Sequence, residues 1–147
     1  MDTTRMRTWA EIDLTALEHN YRTLRAMLPR ECRFLGLCKA NAYGHGAAVI
    51  GHTLERLGAD MLAVACVSEA EELRQSGVKL PILCLGETPE ELIPLLLELD
   101  VTQMVEDLET GRRLSAAAQR AGRTLRVHVK LDTGMSRLGF LWEAGRE

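Results

Sequence analysis

The stretch Leu37-Cys38-Lys39-Ala40-Asn41-Ala42-Tyr43-Gly44-His45-Gly46 decides how the chain folds. Before it, residues 34–38 form an apolar run that leads directly into Lys39. After it, apolar residues recur at helical spacing. The pattern predicts a buried strand that ends at Lys39, a glycine-rich loop over residues 41–46 and a helix over residues 47–57.

Lys39 is the first candidate for chemistry because it would end a strand, with an apolar floor beneath it and an open loop above it. Desolvation disfavours the ammonium form of lysine, so such an amine can be tuned toward a neutral nucleophile. The same position also suits a lysine whose methylene stem lies on apolar side chains while its head group reaches water. Position alone leaves both interpretations open.

Length and composition are typical of a globular domain with a real core, at 147 residues, 46% hydrophobic and 27% charged. The net charge of −3 is spread along the chain and only 4% of residues are aromatic, which argues against a nucleic-acid partner or an anionic membrane surface. Residues 1–5 do not lead into the apolar segment of a signal peptide, and Pro94 interrupts the run over residues 92–97. We therefore expect a cytoplasmic protein without a nucleic-acid or membrane partner.

The four cysteines, Cys32, Cys38, Cys66 and Cys84, include no pair at the C-x-x-C spacing. Three of them lie inside apolar, strand-like runs. This pattern is typical of small buried side chains in a reducing compartment, not of a disulfide framework or a zinc site. We expect no metal centre.

Strand and helix signals alternate along the rest of the chain. Residues 1–12 contain an alternation that predicts a short N-terminal strand, and Asp13 is placed to cap a helix that ends before Pro29. Further strands are predicted over residues 61–67, 82–85, 101–105 and 125–131. The helices between them should begin at three capping signals, which are Ser68 with Glu71, Thr88 with Pro89 and Glu91, and Asp107.

Apolar strands that alternate with helices predict an α/β fold with a parallel sheet covered by helices. Such a sheet can be doubly wound or closed as a barrel. Gly44 and Gly46 follow the first of these strands, but the third glycine of a dinucleotide-binding fingerprint is missing. We therefore expect about five βα units of a partial (β/α)8 barrel, in which catalytic groups lie at the carboxyl ends of the strands.

A second group of candidate residues follows the fifth predicted strand. His128 and Lys130 alternate with apolar residues, so they share one face of the strand. If the apolar residues face the helices, His128 and Lys130 point into the barrel, toward the same mouth as Lys39. In the loop that follows, Arg137 can fold back over this mouth. Alternatively, Lys130 pairs with Asp132 and Arg137 is exposed to solvent.

Three motifs resemble the alanine racemase family, and the resemblance covers nearly the whole chain in order. Residues 39–46 (KANAYGHG) resemble its pyridoxal-phosphate attachment motif, and residues 129–139 (VKLDTGMSRLG) resemble its second signature. Residues 9–14, with Ala16, Leu17 and Asn20, resemble its N-terminal segment. The resemblance implies a pyridoxal-phosphate-dependent racemase that acts on a small amino acid, interconverting L-alanine and D-alanine for bacterial cell-wall peptidoglycan.

The resemblance also implies roles for individual residues. Lys39 would hold the cofactor covalently and act as the base that moves the substrate α-proton on one face. Tyr43 would hydrogen-bond the cofactor phosphate, and Arg137 would contact the cofactor's phenolic oxygen and help seat the substrate. Lys130 matches a lysine that is carbamylated in some members. Two further positions would line the cofactor ring, Leu37 and Leu85.

The family pattern is longer than this chain, so we expect a piece of a larger enzyme that is inactive alone. In the family, the strand over residues 1–12 belongs to a C-terminal β domain, and residues 13–147 form the first part of the barrel. The remaining strands and a tyrosine donated by a partner subunit would lie beyond residue 147. The resemblance implies a homodimer for the full-length protein.

Several other functions also fit the sequence. A related barrel could racemise serine or lysine, or decarboxylate basic amino acids. A Schiff-base aldolase would use Lys39 without a cofactor. Finally, the chain could bind pyridoxal phosphate, or only a protein partner, without catalysis.

Overall fold

The computed structural model describes residues 7–142. The chain divides into two compact units between Cys32 and Arg33. The first unit contains one helix, α1 (Leu14–Ala26), and the second contains all the described strands.

The start of α1 confirms the predicted cap. The Asp13 carboxylate accepts hydrogen bonds from the backbone N–H groups of Thr15 and Ala16 at 2.8 and 3.1 Å. The strand predicted ahead of it does not form over residues 7–12, and residues 1–6 lie outside the described residues. An extended segment needs a partner for its backbone groups, and no described strand pairs with residues 7–12.

The second unit is built on a parallel sheet whose five strands are neighbours in chain order. Each strand pairs with the next, with Leu37 opposite Ala63 and Met104 opposite His128. The strands are β1 (Leu35–Leu37), β2 (Met61–Val64), β3 (Ile82–Cys84), β4 (Val101–Val105) and β5 (Val127–Val129). The α/β prediction is confirmed.

Helical segments connect successive strands. Right-handed crossovers between strands in chain order place these helices on one face of the sheet, whereas a doubly wound sheet reverses its strand order and has helices on both faces. The strand order therefore favours the barrel. The segments are α2 (Lys39–Tyr43), α3 (Ala47–Leu57), α4 (Val67–Gln75), a 3₁₀ turn (Glu90–Leu92), α5 (Ile93–Glu98) and α6 (Leu108–Arg120). No helix within residues 7–142 is long and apolar enough to cross a bilayer.

The core of this unit contains large apolar side chains of the sheet and of the helices that pack on it. Burying each of these side chains contributes about 1.5–3 kcal/mol. The largest fully buried ones include Leu62, Leu73, Ile82, Ile93, Leu96 and Leu114.

Two of the three predicted capping signals are wrong. Helix α4 begins at Val67 with Cys66 as its N-cap, so Ser68 and Glu71 do not form a capping box. Thr88 is buried, and its hydroxyl donates to Gln103 Oε1 at 2.7 Å. A buried amide requires hydrogen-bond partners, so the Thr88 hydroxyl bonds Gln103 instead of capping the helix as the sequence pattern predicted. Asp107 does cap α6, accepting from Thr110 N–H at 2.7 Å.

The fifth predicted strand is interrupted at Lys130. Strand β5 ends at Val129, and a two-residue strand β6 (Leu131–Asp132) pairs in parallel with β7 (Phe140–Leu141). The loop over residues 133–139 therefore leaves the sheet and returns beside its own starting point.

We predict that Gly86→Ala destabilises the protein by about 1–3 kcal/mol, because an added Cβ cannot be accommodated without moving backbone. Gly86 N–H donates to the carbonyl oxygen of Ala65 at 3.0 Å, and a Cβ at Gly86 would lie 2.4 Å from that oxygen. Urea unfolding measures the free energy of unfolding.

The matched control is Gly111→Ala in α6, where a Cβ would meet only Val105 Cγ1 at 3.4 Å. Alanine is favoured over glycine inside a helix, so this variant should be neutral or more stable by up to about 1 kcal/mol. Equal stability of the two variants would contradict the prediction.

Candidate active site

A cavity of about 380 Å³ lies where the strands of the sheet end. Its wall comes from segments that are far apart in sequence but follow successive parallel strands. Lys39, Lys130 and Arg137 all line this cavity, and Lys130 and Arg137 are exposed to solvent there. The lining residues are Lys39, Ala65, Leu85, Gly86, Met104, Lys130, Met135, Arg137 and Leu138.

The charged residues that line this cavity are all positive. Three of its lining residues are cations, and no acidic residue of the described chain lines it. The remaining residues are apolar, and the largest of them are two leucines and two methionines, Leu85, Leu138, Met104 and Met135. Such a cavity suits an anionic ligand with a flat apolar portion, because cations attract the charge and the apolar wall covers the ring.

Lys39 is half-buried, and it stands two residues beyond the end of β1 rather than at its last position. The loop predicted after it is a left-handed helical turn. Residues Ala40, Asn41, Ala42 and Tyr43 have φ between 51° and 55°, and Gly44 ends the turn with a φ of 88°. Four successive L-residues in this region are unusual, since Cβ approaches the following carbonyl oxygen.

Tyr43 and Leu37 do not line the cavity, in contrast to Leu85. The Tyr43 ring centre lies 5.9 Å from Lys39 Nζ, and 58% of the Tyr43 surface is exposed. Leu37 lies opposite Ala63 in the sheet and is 44% exposed. Cofactor contacts by these residues remain predictions.

The loop that carries Arg137 is anchored by Asp132. The buried Asp132 carboxylate accepts hydrogen bonds from Gly134 N–H and Ser136 N–H, both at 3.0 Å. Backbone donation, first from Ser136 and then from Gly134, holds the pKa of Asp132 below its ordinary value. The carboxylate therefore holds the loop backbone, and the alternative in which it serves mainly as a partner for Lys130 is not favoured.

Arg137 also lines a second, adjoining cavity of about 370 Å³, whose walls include Glu106, Asp107 and Asp132. One carboxylate oxygen of Glu106 is buried without a hydrogen-bond partner among the described residues. Arg137 thus lies between a cationic cavity and an acidic one.

His128 does not reach the cavity of Lys39, so the prediction that it points toward the same mouth is wrong. It lines a different cavity with Met61, Pro81 and Thr102. His128 precedes Lys130 by two residues on one face of an extended chain, which separates them by about 7 Å along the strand.

Sequence reasoning missed two polar residues that shape the rim. Gln103 is fully buried, and its amide donates to the carbonyl oxygens of Gly86 and Met104 at 2.7 and 2.9 Å. A polar residue in the middle of an apolar strand was the available signal. Glu69, in the first turn of α4, accepts from Ala40 N–H and Ala65 N–H.

The four cysteines, all within the described residues, form no disulfide with one another. Cys38 and Cys84 are buried, but Cys66 is exposed because it caps α4 beyond the end of β2. Within residues 7–142, no group of three or more potential ligands could hold a metal ion.

Comparison with known proteins relates the chain to one family. Residues 12–147 match the family described as Alanine racemase, N-terminal domain. An alanine racemase of Desulfovibrio desulfuricans is 44% identical over 131 residues, which are 89% of this chain and 35% of that protein. An alanine racemase of Methanococcus maripaludis is 43% identical over 135 residues, 92% of this chain and 36% of that protein. The chain thus spans about a third of the length of these relatives.

Solved structures show the same relationship. An alanine racemase of Clostridium difficile 630 matches with a TM-score of 0.88 and 42% identity, covering 91% of this chain and 35% of that one. An alanine racemase of Bacillus anthracis with bound L-Ala-P matches with a TM-score of 0.85 and 32% identity, covering 92% and 35%.

We predict that Asp132→Ala loosens the Arg137 loop, because two backbone N–H groups lose a charged acceptor. Trypsin cleavage after Arg137 should accelerate by about tenfold or more. Ser136→Ala is the matched control, since it keeps the backbone N–H that Asp132 binds. Equal cleavage rates in the two variants would show that Asp132 does not hold the loop.

We predict a pH dependence of stability from Cys38. Burial raises the pKa of this thiol to about 11, above its value of about 8.5 in an unfolded chain. Between these values the unfolded state loses a proton that the folded state keeps, so the free energy of unfolding falls as pH rises through this range, by up to about 3 kcal/mol.

Urea unfolding at several alkaline pH values measures this slope. Cys38→Ala should flatten it, whereas Val64→Ala, a buried truncation without a titrating group, should keep it. An unchanged slope in Cys38→Ala would contradict the assignment.

Proposed function

Because the chain belongs to the alanine racemase family, we propose that it forms part of a pyridoxal-phosphate-dependent enzyme that interconverts L-alanine and D-alanine. One observation carries the proposal: Lys39 lies far in sequence from Lys130 and Arg137, yet all three line one cavity with an apolar wall. When bound, pyridoxal phosphate supplies an electron sink for the charge left on Cα after loss of a proton.

The residues of the cavity suit this cofactor. Its phosphate, its phenolic oxygen and the substrate carboxylate are all anionic, and the cavity offers cations without a competing acid among the described residues. Leu85 and Met104 offer apolar surface for a planar ring. A volume of about 380 Å³ lies within the range of small-molecule sites.

In the proposed reaction, Lys39 has two tasks. Its Nζ would hold the cofactor covalently. When not engaged in this bond, the same Nζ would act as a base that accepts the substrate α-proton on one face.

Arg137 and Lys130 act on charge and orientation. The planar guanidinium of Arg137 would donate to the phenolic oxygen of the cofactor and help seat the substrate carboxylate. Lys130 is proposed to be carbamylated. A carbamate would turn this cation into an anion, which would orient Arg137 and relieve repulsion among the three cations. Tyr43 is proposed to donate to the phosphate, and Leu37 to lie near the ring.

The proposal extends to the whole protein. The intact enzyme is proposed to be a cytoplasmic homodimer whose partner subunit donates the base for the opposite face, and whose D-alanine serves cell-wall synthesis. Residues 1–12 are proposed to join a C-terminal β domain and residues 13–147 to begin the barrel. The similarity to alanine racemases supports these statements.

We predict that Lys39→Ala abolishes cofactor attachment and lowers racemisation of L-alanine by at least about 1000-fold, because it removes both the attaching amine and one base. The experiment uses the intact protein that carries this chain. Borohydride reduction followed by peptide mass analysis locates the attached cofactor, and a D-amino-acid assay measures racemisation.

Lys79→Ala is the matched control, since Lys79 is exposed and lies outside the cavity. Cofactor attached to Lys79 or Lys130 instead of Lys39 would overturn the proposal. Racemisation of L-serine or L-lysine in preference to L-alanine would reassign the substrate. Carbon–carbon bond cleavage without cofactor would favour the aldolase, and attachment without turnover would favour a non-catalytic binding protein.

A further inference from the structure

The left-handed turn over residues 40–43 must be stabilised by its surroundings, because this conformation is sterically unfavourable for L-residues. Its far end is held by Asn41. The Asn41 side-chain oxygen accepts from Ala47 N–H at 2.7 Å, and the Asn41 carbonyl oxygen accepts from Gly46 N–H at 3.0 Å. The near end, next to Lys39, requires a different partner.

Glu69 is that partner. Its Oε1 accepts from Ala40 N–H at 2.7 Å, and its Oε2 accepts from Ala65 N–H at 2.7 Å. Both bonds involve a carboxylate, and such charge-assisted bonds are stronger than those between neutral groups. Glu69 lies in the first turn of α4, where the helix dipole also favours negative charge.

The two hydrogen bonds of Glu69 lie where β1 and β2 stop pairing directly. Cys38 N–H donates to the Ala63 carbonyl oxygen at 2.8 Å, just beyond the end of β1. Two residues further along each chain, at Ala40 and Ala65, the Glu69 carboxylate connects the two backbones instead. Lys39 is enclosed between these two connections, and Ala65 lines the same cavity as Lys39.

We propose that Glu69 is a positioning residue for Lys39. Its carboxylate closes the left-handed turn against the end of β2 and so fixes the direction in which Lys39 enters the cavity. Glu69 does not itself line this cavity, so it acts through the backbone. The proposal rests on the proposed function in taking Lys39 as the reacting amine.

The test compares Glu69→Ala and Glu69→Gln with Glu72→Gln, an exposed position on the same helix. Alanine removes both acceptors, whereas glutamine keeps one. In the intact protein, hydrogen exchange of the peptide containing Ala40 should accelerate by about tenfold or more in Glu69→Ala and by less in Glu69→Gln. Glu72→Gln should match the wild type.

Two lysine readouts distinguish positioning from a merely structural role. In cofactor-free protein, acetylation of Lys39 by acetic anhydride, measured relative to Lys79, should rise by about tenfold as Lys39 leaves its half-buried position. Borohydride-trapped attachment of pyridoxal phosphate to Lys39 should slow by about 10- to 100-fold. General destabilisation would not move the two readouts in opposite directions in folded protein.

The outcomes separate the two proposals. If wild-type Lys39 is not trapped by pyridoxal phosphate, the proposed function fails, while exchange and acetylation still decide the role of Glu69. If both Glu69 variants keep wild-type exchange and acetylation, the positioning proposal is overturned. Faster exchange with unchanged acetylation and trapping also overturns it. If Glu69→Ala does not fold by circular dichroism, Glu69→Gln decides by the same criteria.

Discussion

The parallel direction of the five strands is the constraint on which the site depends. Strands that run the same way, each paired with the next in the chain, must end at one rim. Lys39 follows the first strand and Lys130 the fifth, some ninety positions later in the sequence, yet both line one cavity. A lysine at a strand end is unremarkable alone. Two lysines and an arginine at one rim define a cationic site.

Backbone N–H groups at the rim are held by two carboxylates, one that reaches a neighbouring segment and one that acts within its own loop. Glu69 accepts from Ala40 and Ala65, and Asp132 accepts from Gly134 and Ser136. Both carboxylates stabilise backbone that leaves regular structure, one in a left-handed turn and one in a loop that returns on itself. The functional side chains are therefore placed by backbone geometry that their own helices and strands do not provide.

The predictions of helix caps at Thr88 and at Ser68 are wrong because they rely on local sequence signals alone. Thr88 has a typical helix-capping context, but its hydroxyl donates to the buried amide of Gln103. Leaving a buried amide without a hydrogen bond costs more free energy than leaving a helix N-terminus uncapped. The Thr88 hydroxyl therefore bonds Gln103 rather than a helix N–H group. The start of α4 is also misplaced by Ser68 and Glu71, because the helix begins at Val67 and the carboxylate in its first turn that accepts backbone N–H groups is that of Glu69.

The sequence by itself determined the order of strands and helices, the parallel sheet, and the two motifs that carry Lys39 and Arg137. These follow from hydrophobic periodicity and from local residue patterns, which act over a few positions along the chain. Only the tertiary structure decided that residues 40–43 turn left-handed, that His128 lies apart from Lys130's cavity, and that Glu69 bridges two strand ends. Each of these depends on a partner more than twenty positions away or on a neighbouring strand, and no local pattern encodes such a partner.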